Sequence, residues 1–145
     1  MCIASEGIQH FEMKDGAYKS GDFVSFVEEL AEQFPKIQTG RACLVMDNAR
    51  IHHAVQAREY LEENNIRHIY LPPYSPDLNP IENVFGVLKQ RYRSLGVPTT
   101  RAEMATQITT AINDTNWDLD MMPFCRRIRE FVDKALNSKS FNWLF

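Results

Sequence analysis

Two carboxylates in this chain stand where a metal ion could be held. Asp47 directly follows the apolar run Ala42-Cys43-Leu44-Val45-Met46, which reads as a short buried strand. A polar residue at the C-terminal end of such a strand occupies the usual ligand position of an open α/β sheet. Glu82 follows Asn79-Pro80, a helix start with Asn79 as N-cap and proline at the first helical position. One acid ends a strand and the other begins a helix. Acids so placed can converge on a divalent cation, because hard cations such as magnesium bind carboxylate oxygens. Spacing alone also admits plainer roles: Asp47 as a turn residue, and Glu82 as the glutamate of a capping box, three residues after Asn79.

Around these acids, Asn48 either holds the Asp47 carboxylate or stabilises its turn, and Asn79 reads as a cap rather than a ligand. His52 and His53 are candidate ligands or proton-transfer groups, although a histidine pair at a helix start is more often structural.

The elements that must position these residues follow from the pattern. Cys2–Ser5 and Ile8–Lys14 predict a hairpin turning at Glu6-Gly7. In its second arm Ile8, His10 and Glu12 share one side, and Gln9, Phe11 and Met13 the other, more apolar one. Asp15-Gly16 reads as a turn. Ser20-Gly21-Asp22 opens a helix, with Asp22 as its cap and Phe23, Phe26, Val27, Leu30 and Phe34 as its apolar stripe. Glu28, Glu29 and Glu32 form its solvated face, and Pro35 ends it. After the Asp47 strand a helix begins at His52 or His53, turns Ala54, Ala57, Tyr60 and Leu61 to the sheet, and ends at Asn64-Asn65. Arg67–Leu71 is a further strand, and this strand-helix-strand unit predicts parallel pairing. The Glu82 helix carries the stripe Ile81, Val84, Phe85, Leu88, Tyr92 and Leu95. Thr99-Thr100 caps a third long helix with Met104, Ile108 and Ile112 on one face, followed by a loop over Asp114–Pro123 and a helix over Phe124–Leu136. The aromatic tail Phe141–Phe145 has no assigned role.

Met46-Asp47-Asn48-Ala49, with His52 five residues past the Asp, and the run LPPYSPDLNPIEN from Leu71 to Asn83 resemble the catalytic core of mariner-like transposases, members of the DDE superfamily of transposases and endonucleases. Thirty-four residues lie between Asp47 and Glu82, the family's spacing for its second and third acids. The resemblance covers Met1–Leu95 well and the remainder loosely. It implies an α/β, ribonuclease-H-like mixed sheet with flanking helices, and two Mg2+ (or Mn2+) ions held by three carboxylates for cutting and rejoining DNA. It divides the chain into a partial catalytic core (1–98) and a C-terminal helical extension of the same domain (99–145). It makes Asp47 and Glu82 catalytic and metal-binding, with Asn48, His52 and Asn79 in support. Lys89, Arg91 and Arg93 become candidate phosphate contacts; without the resemblance they are an ordinary solvated basic face. Arg126, Arg127 and Arg129 read as surface.

The resemblance also implies a gap. The family's first Asp lies on a strand before the one that opens this chain, so the core is expected to be truncated, with the central first strand missing and two sheet edges orphaned. The expected partners are DNA (transposon ends), a second copy or a full-length transposase, and the expected address is intracellular, nuclear in a eukaryote. Composition sets bounds on this. One domain with a real core fits 145 residues. A net charge of −3 is unusual for a free-standing nucleic-acid binder. Three scattered cysteines point to no disulfide or thiolate metal site, and neither a signal peptide nor a membrane-length apolar run is read. Three functions compete: a truncated, self-insufficient transposase core, a non-catalytic remnant that binds DNA or protein, and an unrelated metal-dependent hydrolase. The YSPDLNPIE run argues against the last.

Overall fold

The computed structural model describes residues 1–126, 128, 130 and 142–144. Its centre is β3 (Ala42–Met46), buried along its whole length. Side chains alternate across a strand, and β3 uses both faces. Cys43 and Val45 enter one apolar core with Val84, Leu88, Ala111 and Ile112. Ala42, Leu44 and Met46 enter another with Val27, Leu30, Ala57 and Leu61. Helices α1 (Ser20–Gln33) and α2 (Val55–Glu63) therefore cover one face, and α3 (Pro80–Ser94) and α4 (Arg101–Asp118) the other.

Strand β4 (His68–Tyr70) pairs parallel with β3, as the crossover through α2 predicts. On the other edge of β3 lies β5 (Asn142–Leu144), also parallel, with Ala42 opposite Asn142 and Leu44 opposite Leu144. The expectation of an orphaned β3 edge is thus overturned, because the C-terminal segment supplies a strand there. Phe141 and Phe145, at the ends of the aromatic tail, lie outside the described residues, as does much of the helix expected over Phe124–Leu136; residues 122–126, 128 and 130 are helical.

The hairpin of β1 (Cys2–Ala4) and β2 (Gly7–His10) forms its own two-stranded sheet, with β1 alongside β5. Its strand is shorter than the alternation suggested, and the buried side belongs to Ile8 and His10 rather than to Gln9, Phe11 and Met13. The turn is tied down from α4. The Asn116 side-chain oxygen accepts the Ile8 N–H at 2.7 Å, and a Cβ on Gly7 (φ +125°) would stand 2.2 Å from that same oxygen. Glycine is required there both for its backbone angle and for Asn116 to approach.

Three boundaries differ from expectation. Asp22 is not the cap of α1 but its third helical residue; its carboxylate accepts the Lys19 N–H at 2.7 Å and pairs with Lys14. Helix α2 starts at Val55 because residues 49–53 close into turns, with His52 N–H donating to Ala49 O and His53 N–H to Arg50 O. Helix α4 runs through Asp114 to Asp118, where a loop was expected. Its polar residues there are satisfied without ending the helix: Asn116 reaches out to Ile8, and the buried Thr115 hydroxyl donates back to Ala111 O one turn earlier. Met104 and Leu95 overhang the core and are exposed, while Ile112 and Leu88 in the same stripes are buried.

Candidate active site

Asp47 leaves β3 at its C-terminal end. The alternation that sends Cys43 and Val45 to the α3/α4 face carries Asp47 toward that face, where α3 begins. Helix α3 begins as the residue types dictate: Asn79 is the N-cap, its side-chain oxygen accepting the Ile81 N–H at 3.3 Å, and Pro80 is the first helical residue. Asp47, Asn79 and Glu82 together line two adjoining cavities. One is about 300 Å³ and also bordered by Phe23, His52 and Phe85; the other is about 160 Å³ under the Leu71–Pro76 loop. The two acids therefore meet at one place. Among the described residues lining these cavities they are the only carboxylates.

The Asp47 carboxylate is oriented by its own loop. One oxygen, Oδ1, accepts the Ala49 N–H at 2.9 Å and lies 3.0 Å from His52 Nδ1. The second, Oδ2, has no partner among the described residues. His52 is itself held: its ring packs on Phe23 with centroids 4.7 Å apart, and its carbonyl accepts the Tyr70 hydroxyl at 2.9 Å. Asn48 turns away from Asp47. Its amide donates to Leu71 O, and its side-chain oxygen stands 3.0 Å from His53 Nε2, so it ties the end of β3 to the end of β4. Tyr70 also packs on the His53 ring, at 4.1 Å. The sequence marked Tyr70 only as a residue of the Arg67–Leu71 strand, and nothing local to it signals its contacts with His52 and His53.

Glu82 stands in the capping-box position but does not close the box. The Asn79 N–H donates instead to Pro76 O at 2.9 Å, within the short turn Pro76–Leu78. The exposed Glu82 carboxylate makes no hydrogen bond or ion pair among the described residues. It is thus free to bind a ligand, at the helix end where the backbone is electropositive.

The basic residues of α3 divide. At 100° per residue, Lys89 and Arg93 lie within about 20° of Glu82 around the helix, and Arg91 about 180° away. Arg91 pairs with Asp118 of α4 at 2.5 Å, so it serves the α3/α4 contact rather than the acid-bearing face. Lys89 and Arg93 are exposed. The loop that lines the smaller cavity with Asp47 and Glu82 presents Tyr74 fully to solvent, at φ +56°.

Comparison with known proteins gives the family and the fold. The profile of a family described as DDE superfamily endonuclease matches residues 1–104. The transposable element Tc3 transposase of Caenorhabditis elegans is 48% identical over 42 residues, 29% of this chain and 13% of that protein. An MFS-type transporter, clz9, of Cochliobolus lunatus is 37% identical over 71 residues, 44% of this chain but 8% of that one. The chain thus spans about a tenth of the length of these curated relatives. No helix among the described residues is long and apolar enough to cross a membrane. In fold, the chain resembles the catalytic domain of Mos1 transposase solved with raltegravir and Mn (TM-score 0.68, 18% identity, covering 94% of this chain and 73% of that one), and the same domain solved with Mg (TM-score 0.65, 19% identity, the same coverage). The fold is that ribonuclease-H-like, mariner-type catalytic fold, and with the family match over residues 1–104 the chain belongs to the DDE superfamily endonucleases.

Proposed function

We propose that this chain is a metal-binding part of a DNA transposase core, in which Asp47 and Glu82 are two of the acids that hold a divalent cation. The observation that carries the proposal is the meeting of a strand-end Asp and a helix-start Glu on one cavity, each with an unpartnered oxygen. The donor set fits magnesium or manganese: two carboxylates, hard and exposed, while Cys2, the one cysteine among the described residues lining the cavities, is kept a neutral thiol by burial. When bound, such ions activate a water or hydroxyl and offset charge on the scissile phosphate. The chain's own residues orient the ligands. Ala49 N–H and His52 fix Asp47, Asn79 fixes the start of α3, and Asn48 and Tyr70 hold the loop between them. Lys89 and Arg93, on the Glu82 side of α3, are the proposed phosphate contacts; Arg91 is committed to Asp118. Residues 99–145 belong to the same domain in this reading, since Ala111, Ile112, Met121 and Ile128 share a core with Cys43 and Val84.

Two-metal chemistry needs more than two acids. The strand on the β3 edge reads Asn142-Trp143-Leu144 and offers no carboxylate. The chain alone therefore binds metal weakly and does not nick DNA efficiently, and DNA or a full-length transposase is its proposed partner. Manganese binding followed by electron paramagnetic resonance, in a chain carrying His10→Gln, tests the site: loss in both Asp47→Ala and Glu82→Ala supports it, and binding that survives both refutes it. Supercoiled plasmid with Mg2+ or Mn2+ tests the activity. Robust nicking abolished by both substitutions would overturn the inactivity, while leaving the site in place. The non-catalytic reading, a transposon-derived binding remnant, is favoured by the absence of a third acid among the described residues lining the two cavities and by the net charge of −3; it predicts DNA or protein binding unaffected by either substitution.

A further inference from the structure

A second group of ligand-type side chains lies away from Asp47 and Glu82. His10 ends β2, Glu12 follows two residues later, and Glu29 projects from the third turn of α1. Their ligand atoms all lie within 4.8 Å of one another. His10 Nε2 is 3.6 Å from Glu12 Oε1 and 3.5 Å from Glu29 Oε2. The His10 side chain is 6% exposed, its ring packs on Phe26 with centroids 4.7 Å apart, and its Nε2 has no hydrogen-bond partner. A buried polar nitrogen without a partner is costly, and this one points into the two carboxylates.

We infer that His10, Glu12 and Glu29 form a site for a divalent transition ion of the zinc class, distinct from the Asp47/Glu82 site and independent of the function proposed for it. The spacing fits the chemistry. Zinc bonds histidine nitrogen and carboxylate oxygen at about 2.0–2.2 Å in a tetrahedron, so two of its ligands lie about 3.4 Å apart. The two His10–carboxylate separations are within about 0.2 Å of that figure, but too long for a strong charge-assisted hydrogen bond, which runs about 2.7–2.9 Å. One imidazole with two carboxylates suits zinc or its neighbours better than magnesium, which prefers all-oxygen octahedral surroundings and keeps its water. Entry is open on the Glu29 side, whose side chain is 57% exposed, leaving a fourth position for water. Such an ion joins the exit of β2 to α1, fastening the hairpin to the helix whose Phe23 supports His52. The site therefore clamps structure rather than supplying a reaction.

The test uses the full chain carrying Asp47→Ala and Glu82→Ala, so that the other site is removed. Titration with Co2+ is expected to give one equivalent with the visible absorption of a tetrahedral nitrogen/oxygen site, displaced by Zn2+ and accompanied by broadening of the His10 imidazole NMR signals. Glu29→Ala is expected to weaken binding at least about 100-fold, since even residues supporting a ligand are worth about 10–100-fold. That substitution lies on the exposed face of α1 and installs the best helix former, so the fold survives it. His10→Gln is expected to act alike. Binding that Glu29→Ala and His10→Gln both leave unchanged refutes the site. Absence of binding, with a His10 imidazolium seen by NMR to pair with the two glutamates, refutes it equally and makes the cluster an ion pair only.

Discussion

Asn48→Ala separates the scaffolding of the candidate site from its chemistry. Asn48 carries no ligand atom for the proposed cation, yet it makes two contacts that tie β3 to β4: its amide donates to the carbonyl of the buried Leu71, and its oxygen meets His53 Nε2 at 3.0 Å. The first contact is partly buried, and a net hydrogen bond there is worth about 1 kcal/mol. The second is exposed and screened, and contributes at most about 0.5 kcal/mol. The sum is about 1.5 kcal/mol, which for a domain of this size lowers the melting temperature by about 3–6 °C. Asp47 keeps Ala49 N–H and His52, so manganese affinity is expected to fall by less than about tenfold, the equivalent of about 1.4 kcal/mol. Asp47→Ala should do the opposite, abolishing binding with little loss of stability. Calorimetric melting and manganese titration of the two variants check this. The reasoning is refuted if Asn48→Ala melts within about 1 °C of the unsubstituted chain, or if it loses metal as completely as Asp47→Ala.

Three further outcomes are expected. Leu30→Ala, at a fully buried position in the α1 stripe, should cost about 2–5 kcal/mol in urea unfolding. Burial pushes the Cys43 and Cys125 thiols up to about 11 and Cys2 to about 12, from an ordinary value of 9.0. Because the folded state disfavours their ionisation, their contribution to stability should be full below pH 9 and lost as pH rises through 11, measurable as a falling urea midpoint across that range. Removing residues 142–145 should accelerate amide exchange at Ala42–Leu44 and promote self-association by baring that edge of β3; unchanged exchange would mean that β5 contributes nothing to the sheet.

Sequence reasoning reached whatever local rules determine. The strand at Ala42–Met46 follows from an apolar run between polar residues, and the start of α3 from Asn79-Pro80; both acids inherit their placement from those signals. Parallel pairing of β3 and β4 follows from chirality once the α2 crossover is recognised. What escaped depends on contacts between distant segments. Helix α4 runs on past Asp114, where the loop over Asp114–Pro123 was expected, and Asn116 there accepts a hydrogen bond from Ile8, more than a hundred residues away. Arg91 looked like its basic neighbours until Asp118 was seen opposite it. Glu29 read as part of a solvated face because nothing local reveals that His10 stands across from it.

The same limit applies most strongly to β5. A three-residue strand has no periodicity to read, and its pairing joins Ala42 to Asn142 across about two thirds of the chain. Yet it bears directly on the site. A strand has two hydrogen-bonding edges, and β3 gives one to β4 and the other to β5. Asp47 sits immediately beyond this doubly paired strand. Any further strand that brought a carboxylate into line with Asp47 by pairing with β3 must first take the place of β5. Supplying a third acid by that route and retaining the C-terminal strand are therefore mutually exclusive states of one sheet edge, and the β3 edge, more than the loop that holds Asp47, decides which is formed.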